Sequence, residues 1–130
     1  MVNTDSHRHV FVYGTLRRGE ANDINRLQPS PRFVGTARLQ GEMYRLGRYP
    51  GVILGGADWV VGEVYAITPE LERQLDIIEE VYPQQTDEYV KREVVVPVEG
   101  EMLMCLVYEI NPRYTQGLPR IAMGDWVRGR

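Results

Sequence analysis

The alternation of apolar and polar positions predicts a chain that consists mostly of short strands. Residues 10–13, Val-Phe-Val-Tyr, are apolar on both alternating faces, the pattern of a strand covered on both sides. We expect this strand to be central and to stop at Gly14. Further strand patterns follow at residues 33–46, 52–54, 59–67, 89–98 and 102–110. The dipeptide Glu99-Gly100 is a tight-turn signal, so the last two strands are predicted to form a hairpin.

One segment carries the signals of an α-helix. Thr68 is a good N-cap, Pro69 occupies the first helical position, and apolar residues follow at helical spacing. The sequence Val-Tyr-Pro at residues 81–83 is predicted to end this helix. A second, shorter helix is predicted over residues 22–27, with Asn22 as its cap.

Six or seven strands and two helices predict an α+β domain, built on a curved sheet or a small barrel with helices on its outside. The 130 residues fit a single domain. Residues 1–8 are polar, and we expect them to form a flexible N-terminal tail. Residues 9–130 would then form the domain.

Composition excludes several kinds of protein and site. A net charge of −3 leaves no basic footprint for nucleic acid. No apolar run approaches the ~18 residues of a membrane span, and no signal-peptide pattern is present, so we expect a soluble, cytoplasmic protein. Cys105 is the only cysteine, which excludes an intrachain disulfide or a Cys-rich zinc site. His7 and His9 lack partner ligands, so no metal site is expected.

The turn after the first strand is the first candidate for chemistry. It reads Tyr13-Gly14-Thr15-Leu16 and begins where a buried strand meets a glycine. Consecutive main-chain N–H groups in such a turn can point at one spot and bind an anion. From the residues alone, an ordinary strand-to-loop turn is the favoured interpretation, because short glycine motifs often match by chance.

Glu79 is the second candidate. A helical wheel based on Leu71 and Leu75 places Glu79 at the margin of the buried stripe and Glu80 towards solvent. A carboxylate near the negative end of a helix, partly buried and beside a second acid, is expected to favour its protonated form. Such a group suits acid/base work near neutral pH. The alternative is a solvated acidic helix end.

Two other features are weaker candidates. The rings of Tyr89, Tyr108 and Trp59 would line either a pocket or the core. Cys105 alternates within an apolar strand, so we expect a small buried residue and not a nucleophile.

Taken together and in order, these motifs resemble the gamma-glutamylcyclotransferase-like superfamily. Tyr13-Gly14-Thr15-Leu16 resembles its N-terminal Y-G-[ST]-L signature, and residues 49–52, Tyr-Pro-Gly-Val, resemble its middle segment. Residues 62–65, Gly-Glu-Val-Tyr, are similar to its G-E-V-Y strand, and residues 75–79 look like its L-D-x-x-E helix. The subgroup that includes gamma-glutamylaminecyclotransferase is closest. The resemblance implies a small mixed-sheet β-barrel with flanking helices.

The resemblance also implies a reaction. The α-amine of a γ-glutamyl group would attack its own γ-carbonyl and release 5-oxoproline and an amine or amino acid. Glu79 would act as the acid/base, and Tyr13, Gly14, Thr15, Leu16 and Tyr89 would bind the substrate. No cofactor is implied, because nucleophile and electrophile share one substrate. The implied partner is a small molecule, with neither nucleic acid nor membrane, and the chain is expected to be a monomer or a weak homodimer.

Two departures from the family pattern keep an alternative open. Glu80 stands where the family often has glycine, and the usual Tyr-x-Arg reads Tyr89-Val90-Lys91 after a longer segment. Members of a fold do not all share one activity. The alternative is therefore a non-catalytic module of the same fold that binds a small carboxylate.

Overall fold

The computed structural model describes residues 8–79 and 86–129. Within these residues, five strands form one mixed sheet: β1 Arg8–Val12, β2 Arg32–Arg45, β3 Pro50–Ile67, β4 Tyr89–Val98 and β5 Glu101–Ile110. Two α-helices accompany the sheet, α1 Pro69–Ile78 and α2 Trp126–Gly129. The predicted α+β class is confirmed.

The strand β1 lies at the centre of the sheet, as its pattern predicts. The strand order is β2-β3-β1-β5-β4, with β1 antiparallel to β3 and parallel to β5. Alternate β1 residues enter different apolar clusters: Phe11 joins one face, and Val10 and Val12 join the other. The chain therefore leaves β1 from the best-packed part of the molecule, and this fixes the start of the following turn.

The strand β3 is longer than the sequence pattern indicates. Two predicted strands, residues 52–54 and 59–67, are parts of one continuous strand that pairs with β2 on both sides of residues 55–58. The pairing has two irregularities: β2 has one extra residue between Phe33 and Gly35, and β3 has four extra residues between Leu54 and Trp59. Gly62 lies where a side chain would meet the ring of Phe11, since an added Cβ would be 2.5 Å from Phe11 Cζ. It permits close packing and does not mark a register shift.

The barrel part of the predicted fold is not confirmed, because the sheet does not close. Among the described residues, β2 and β4 are its two edges. The sheet curls enough to bring these edges near each other, since a Cβ on Gly35 would lie 2.7 Å from Glu99 Cγ. The hairpin of β4 and β5 turns at Glu99 and Gly100, both with positive φ, which confirms the predicted tight turn.

The helix α1 begins as predicted, and its later residues differ from the prediction. Thr68 caps it, with Oγ1 accepting a hydrogen bond from the Leu71 N–H at 3.2 Å. The helix ends at Ile78 with Glu79 as its C-cap, earlier than predicted, and residues 81–83 lie outside the described residues. Ile78 is 38% exposed and does not extend the buried stripe, whereas Asp76 is buried.

Smaller elements also refine the sequence predictions. The predicted helix over residues 22–27 is a short 3-10 helix, Ile24–Arg26, and its cap is Asp23 and not Asn22. A second 3-10 helix spans Pro112–Tyr114. The proposed tail falls mostly on residues 1–7, outside the described residues, and Arg8 already belongs to β1. Among the described helices, none has the length and apolar character needed to cross a bilayer.

Candidate active site

One cleft collects most of the residues that the sequence singles out. It has a cavity volume of about 280 Å³ and opens where the turn after β1, the β2–β3 connection, the end of α1 and the start of β4 meet. The predicted site residues that line it are Tyr13, Gly14, Thr15, Leu16, Glu79 and Tyr89. A volume at the low end of the usual range for binding pockets suits a small molecule.

The turn after β1 offers main-chain donors to this cleft. The Arg17 N–H donates to the Gly14 carbonyl at 3.0 Å, which closes a β-turn around Thr15 and Leu16. The carbonyls of Thr15 and Leu16 accept hydrogen bonds from N–H groups of residues 22 and 24, each at 2.9 Å. Among the hydrogen bonds between described residues, none is donated by the N–H of Thr15 or Leu16. The protein thus holds the turn through hydrogen bonds to its carbonyls. Its N–H groups are the donors that an anion-binding nest uses.

Only glycine fits at position 14, because there is no space for a side chain. A Cβ at this position would lie 2.6 Å from Pro50 Cγ, too close for any side chain. Pro50 begins β3 and lines the same cleft. The glycine therefore allows the turn and the start of β3 to approach each other, and this contact closes one end of the cleft.

A buried ionic cluster lies behind the turn. Arg17 Nε donates to Glu63 Oε2 at 3.1 Å, and Arg17 Nη1 donates to Asp125 Oδ1 at 2.9 Å. Glu63 Oε1 also accepts from the Arg18 N–H at 3.0 Å and from the Tyr65 hydroxyl at 2.9 Å. Burial, together with the Glu63 contact, raises the pKa of Tyr65 to about 12. The C-terminal end of the turn is therefore tied to β3 through Glu63 and to the C-terminal segment through Asp125.

Glu79 lines the same cleft as this turn. It is half-buried and caps α1, with its N–H donating to the Leu75 carbonyl at 2.9 Å. Its negative charge contributes to raising the pKa of Tyr13, Tyr89 and Tyr108. All three tyrosines line the cleft with it. The carboxylate is therefore close to the aromatic wall of the cleft.

The hydroxyls of these tyrosines are already engaged by the protein. Tyr13 donates to the Tyr108 carbonyl at 2.6 Å, Tyr89 to the Pro50 carbonyl at 2.7 Å, and Tyr108 to Asp76 Oδ1 at 2.7 Å. Burial is the main cause that raises the pKa of each hydroxyl well above its ordinary value. Each phenol consequently stays neutral near pH 7.

Several residues that line the cleft were not identified from the sequence. Arg48, Asn22 and Glu88 line the cleft, and the Tyr49 hydroxyl donates to Glu88 Oε2 at 2.6 Å. Arg48 directly precedes the Tyr-Pro-Gly segment, and that position is the signal that could have identified it. No carboxylate among the described residues forms an ion pair with Arg48.

Other candidates lie elsewhere. Tyr108 lines the cleft, whereas Trp59 is exposed and its ring contacts the Arg38 guanidinium. Cys105 is buried in the sheet, and burial raises the pKa of its thiol to about 11, which disfavours the nucleophilic thiolate. Within residues 8–79 and 86–129, no three His, Cys, Asp or Glu side chains converge as metal ligands would.

The fold and the cleft define a class of protein: an α+β domain in which a glycine turn after the central strand and the carboxylate at the end of a helix line one cleft. Comparison with known proteins gives that class its family. The family model "Gamma-glutamyl cyclotransferase, AIG2-like" matches residues 10–128, so the chain belongs to this family. The predicted superfamily is thereby confirmed.

Individual relatives agree with this assignment. The chain is 46% identical over 74 residues to a putative gamma-glutamylcyclotransferase of Vibrio cholerae, covering 55% of this chain and 62% of that protein. It is 33% identical over 75 residues to the gamma-L-glutamyl-butirosin B gamma-glutamyl cyclotransferase of Niallia circulans, covering 57% of this chain and 47% of the relative. The crystal structure of an AIG2-like protein from Mus musculus superposes with a TM-score of 0.71 at 27% identity, over 87% of this chain and 84% of that one. The chain thus spans roughly half to two-thirds of these curated relatives.

Proposed function

We propose that the protein is a γ-glutamyl cyclotransferase-type enzyme that releases 5-oxoproline from a small γ-glutamyl amine or γ-glutamyl amino acid. One observation carries the proposal: Glu79 and the turn formed by Gly14, Thr15 and Leu16 line a single cleft. The cleft volume of about 280 Å³ suits a substrate of this size. The name of the Niallia circulans relative, which acts on a γ-L-glutamyl compound, supports the reaction class.

The proposed reaction joins two parts of one substrate. The α-amine attacks the γ-carbonyl carbon, a C–N bond forms to close the five-membered ring, and the bond to the leaving nitrogen breaks. Holding both groups in one cleft converts the attack into an intramolecular step in an aligned geometry, which supplies much of the acceleration. No cofactor is needed, since nucleophile and electrophile belong to the same molecule.

Proton transfer is the part that Glu79 would perform. Its carboxylate takes a proton from the attacking amine and delivers it to the leaving nitrogen, as general acid/base catalysis requires. The neutral phenols of Tyr13 and Tyr89 would form part of the apolar wall of the cleft and would position the substrate. They would not transfer a proton. The N–H groups of the turn would hold a substrate oxygen that carries negative charge. Arg48 adds a cation at the mouth of the cleft for a substrate carboxylate.

The decisive assay follows 5-oxoproline release across a panel of γ-glutamyl amines and γ-glutamyl amino acids. Glu79→Gln keeps the shape of the side chain and removes its proton transfer, so kcat/KM should fall at least about 100-fold. Glu70→Gln is the matched control, because Glu70 is an exposed glutamate in the first turn of the same helix. Equal release by wild type and Glu79→Gln would refute the proposed mechanism.

The alternative function is a non-catalytic module that binds a small carboxylate. Arg48 supports it, since this cation lines the cleft without an acidic partner among the described residues. Calorimetric titration with 5-oxoproline and with γ-glutamyl amides separates the two functions. Binding without release from any panel member would favour the module, and release would favour the enzyme.

A further inference from the structure

Resting on the proposed function, we propose that Asp76 is a positioning residue that clamps the last turn of α1 to the sheet and thereby fixes Glu79 in the cleft. Asp76 is only 8% exposed, although it lies on a surface helix. Its Oδ1 accepts a hydrogen bond from the Tyr108 hydroxyl at 2.7 Å, and its Oδ2 accepts one from Lys91 Nζ at 2.9 Å. The helix end is therefore tied to β5 and to β4 through one carboxylate.

Leu75 is the fully buried apolar residue of this turn. Ile77 is 58% exposed and Ile78 is 38% exposed, so both keep part of their apolar surface in water. The next described residue after Glu79 is Thr86. Leu75 and Asp76 are the residues of this turn that are buried, and Asp76 alone of the two makes directional contacts. The orientation of the helix end depends on it accordingly.

Asp76 acts on the cleft along two short routes. It lies three residues before Glu79, one helical turn away on a neighbouring face. It also holds Tyr108, whose ring lines the cleft and whose carbonyl accepts from the Tyr13 hydroxyl at 2.6 Å. Loss of the clamp would let the helix end shift, and a misplacement of about 1 Å can lower a rate about 100-fold.

The local charges explain why a lysine faces this turn. Carboxylates near a helix C-terminus meet the negative end of the helix dipole, and both Asp76 and Glu79 lie there. Lys91 offsets this repulsion and also contacts Glu72 Oε2 at 2.7 Å. Burial alone would lower the pKa of Lys91, but the hydrogen bonds to Glu72 and Asp76 raise it, so the ammonium stays charged. Asp76 thus forms an ion pair with Lys91 and also accepts a hydrogen bond from the Tyr108 hydroxyl.

The first test is kinetic and separates positioning from binding. Asp76→Asn keeps an acceptor for Tyr108 and loses the charge that Lys91 requires, so kcat should fall about tenfold or more with KM changed less than about twofold. Glu72→Gln is the matched control, because it removes the other carboxylate that contacts Lys91 without touching Tyr108. Its kcat should stay within about twofold of wild type.

A second variant removes the partner of Asp76 on β5. Tyr108→Phe keeps the ring in the cleft wall and removes the hydroxyl that reaches Asp76. It should show the same fall in kcat with little change in KM. Combining it with Asp76→Asn should cost less than the product of the two single effects, because both break one clamp. If the two single effects on kcat multiply in the double variant, the inference is contradicted.

A third measurement does not depend on activity. Amide hydrogen exchange in Asp76→Asn should rise several-fold at Glu79, whose N–H donates to Leu75, and stay unchanged at Leu71 in the first turn. Unchanged exchange at Glu79 together with unchanged kcat would overturn the inference and leave the proposed function standing. If the wild type releases no 5-oxoproline, the proposed function fails, and the exchange result alone decides the role of Asp76.

Discussion

The two sides of the cleft are held by ionic clusters that differ in their access to water. The turn cluster consists of Arg17, Glu63 and Asp125, whose side chains are 10–14% exposed. In the helix cluster, the Lys91 side chain is 28% exposed, whereas its partners Asp76 and Glu72 are 11% and 13% exposed. Each cation contacts two largely buried acids, but the turn cluster uses a buried guanidinium and the helix cluster a partly solvated ammonium.

This difference indicates how firmly each side is set. Removing one member of a buried ion pair leaves an uncompensated charge, which is strongly destabilising. A charge that can reach water loses far less when its partner is removed. The turn side should therefore be rigid and sensitive to mutation, whereas on the helix side Lys91 can reach water when an acid is lost, and the response should be mainly geometric. That arrangement would keep the turn, the proposed binding site for a substrate oxygen, fixed, while Glu79, the proposed acid/base, depends on Asp76.

The largest expected effect comes from breaking the turn cluster. Arg17→Met removes the cation and leaves Glu63 and Asp125 buried without it, so unfolding free energy should fall by about 3–5 kcal/mol. Urea unfolding near pH 7 measures this change. Arg18→Met is the matched control, because Arg18 is exposed and its guanidinium only stacks on the Phe33 ring at 4.9 Å. It should cost about 1 kcal/mol or less, and equal losses in both variants would contradict the comparison.

A steric change at the turn should have an intermediate effect. In Gly14→Ala, the new methyl group would lie 2.6 Å from Pro50 Cγ and 2.7 Å from Pro50 Cδ. Overpacking of this kind should cost about 1–3 kcal/mol and lower the rate of 5-oxoproline release by displacing the turn. Pro50→Ala removes both clashing atoms and should partly rescue Gly14→Ala in stability and rate. Failure of the double variant to recover either property would place the cause outside this contact.

The smallest effect is expected on the helix side and depends on pH. Lys91→Met should cost about 1 kcal/mol near pH 7, because the ammonium is partly solvated and the remaining buried Asp76 keeps its hydrogen bond from the Tyr108 hydroxyl. The pKa of Lys91 is raised in the folded state, so its stabilisation is present below about pH 10.5, the unfolded value, and is lost as pH rises through the folded pKa. The stability gap between wild type and variant should therefore stay constant up to about pH 10 and narrow above about pH 10.5 in thermal unfolding. A gap that does not narrow above that pH would mean that the charge of Lys91 contributes nothing to it.

Local elements and some site residues could be read from the sequence, whereas buried charges could not. The strand β4 and the start of α1 lie where their patterns predict, because periodicity, capping and turn residues act over a few positions. Asp76 and Arg17 were missed, since a charged residue in a loop or helix is ordinarily exposed. Their burial depends on partners that are distant in the chain.

By itself, the sequence determined the central strand, the helix that carries Glu79 and the glycine turn, and hence the family to which the chain belongs. Only the tertiary structure decided which charges meet. Arg17 contacts Glu63 across 46 positions, and Tyr108 contacts Asp76 across 32. The reason is physical: burying a charge is unfavourable until a partner from another part of the fold arrives to satisfy it. Local sequence patterns therefore determine the turn and the helix on the two sides of the cleft. Their positions relative to each other depend on contacts that exist only after folding.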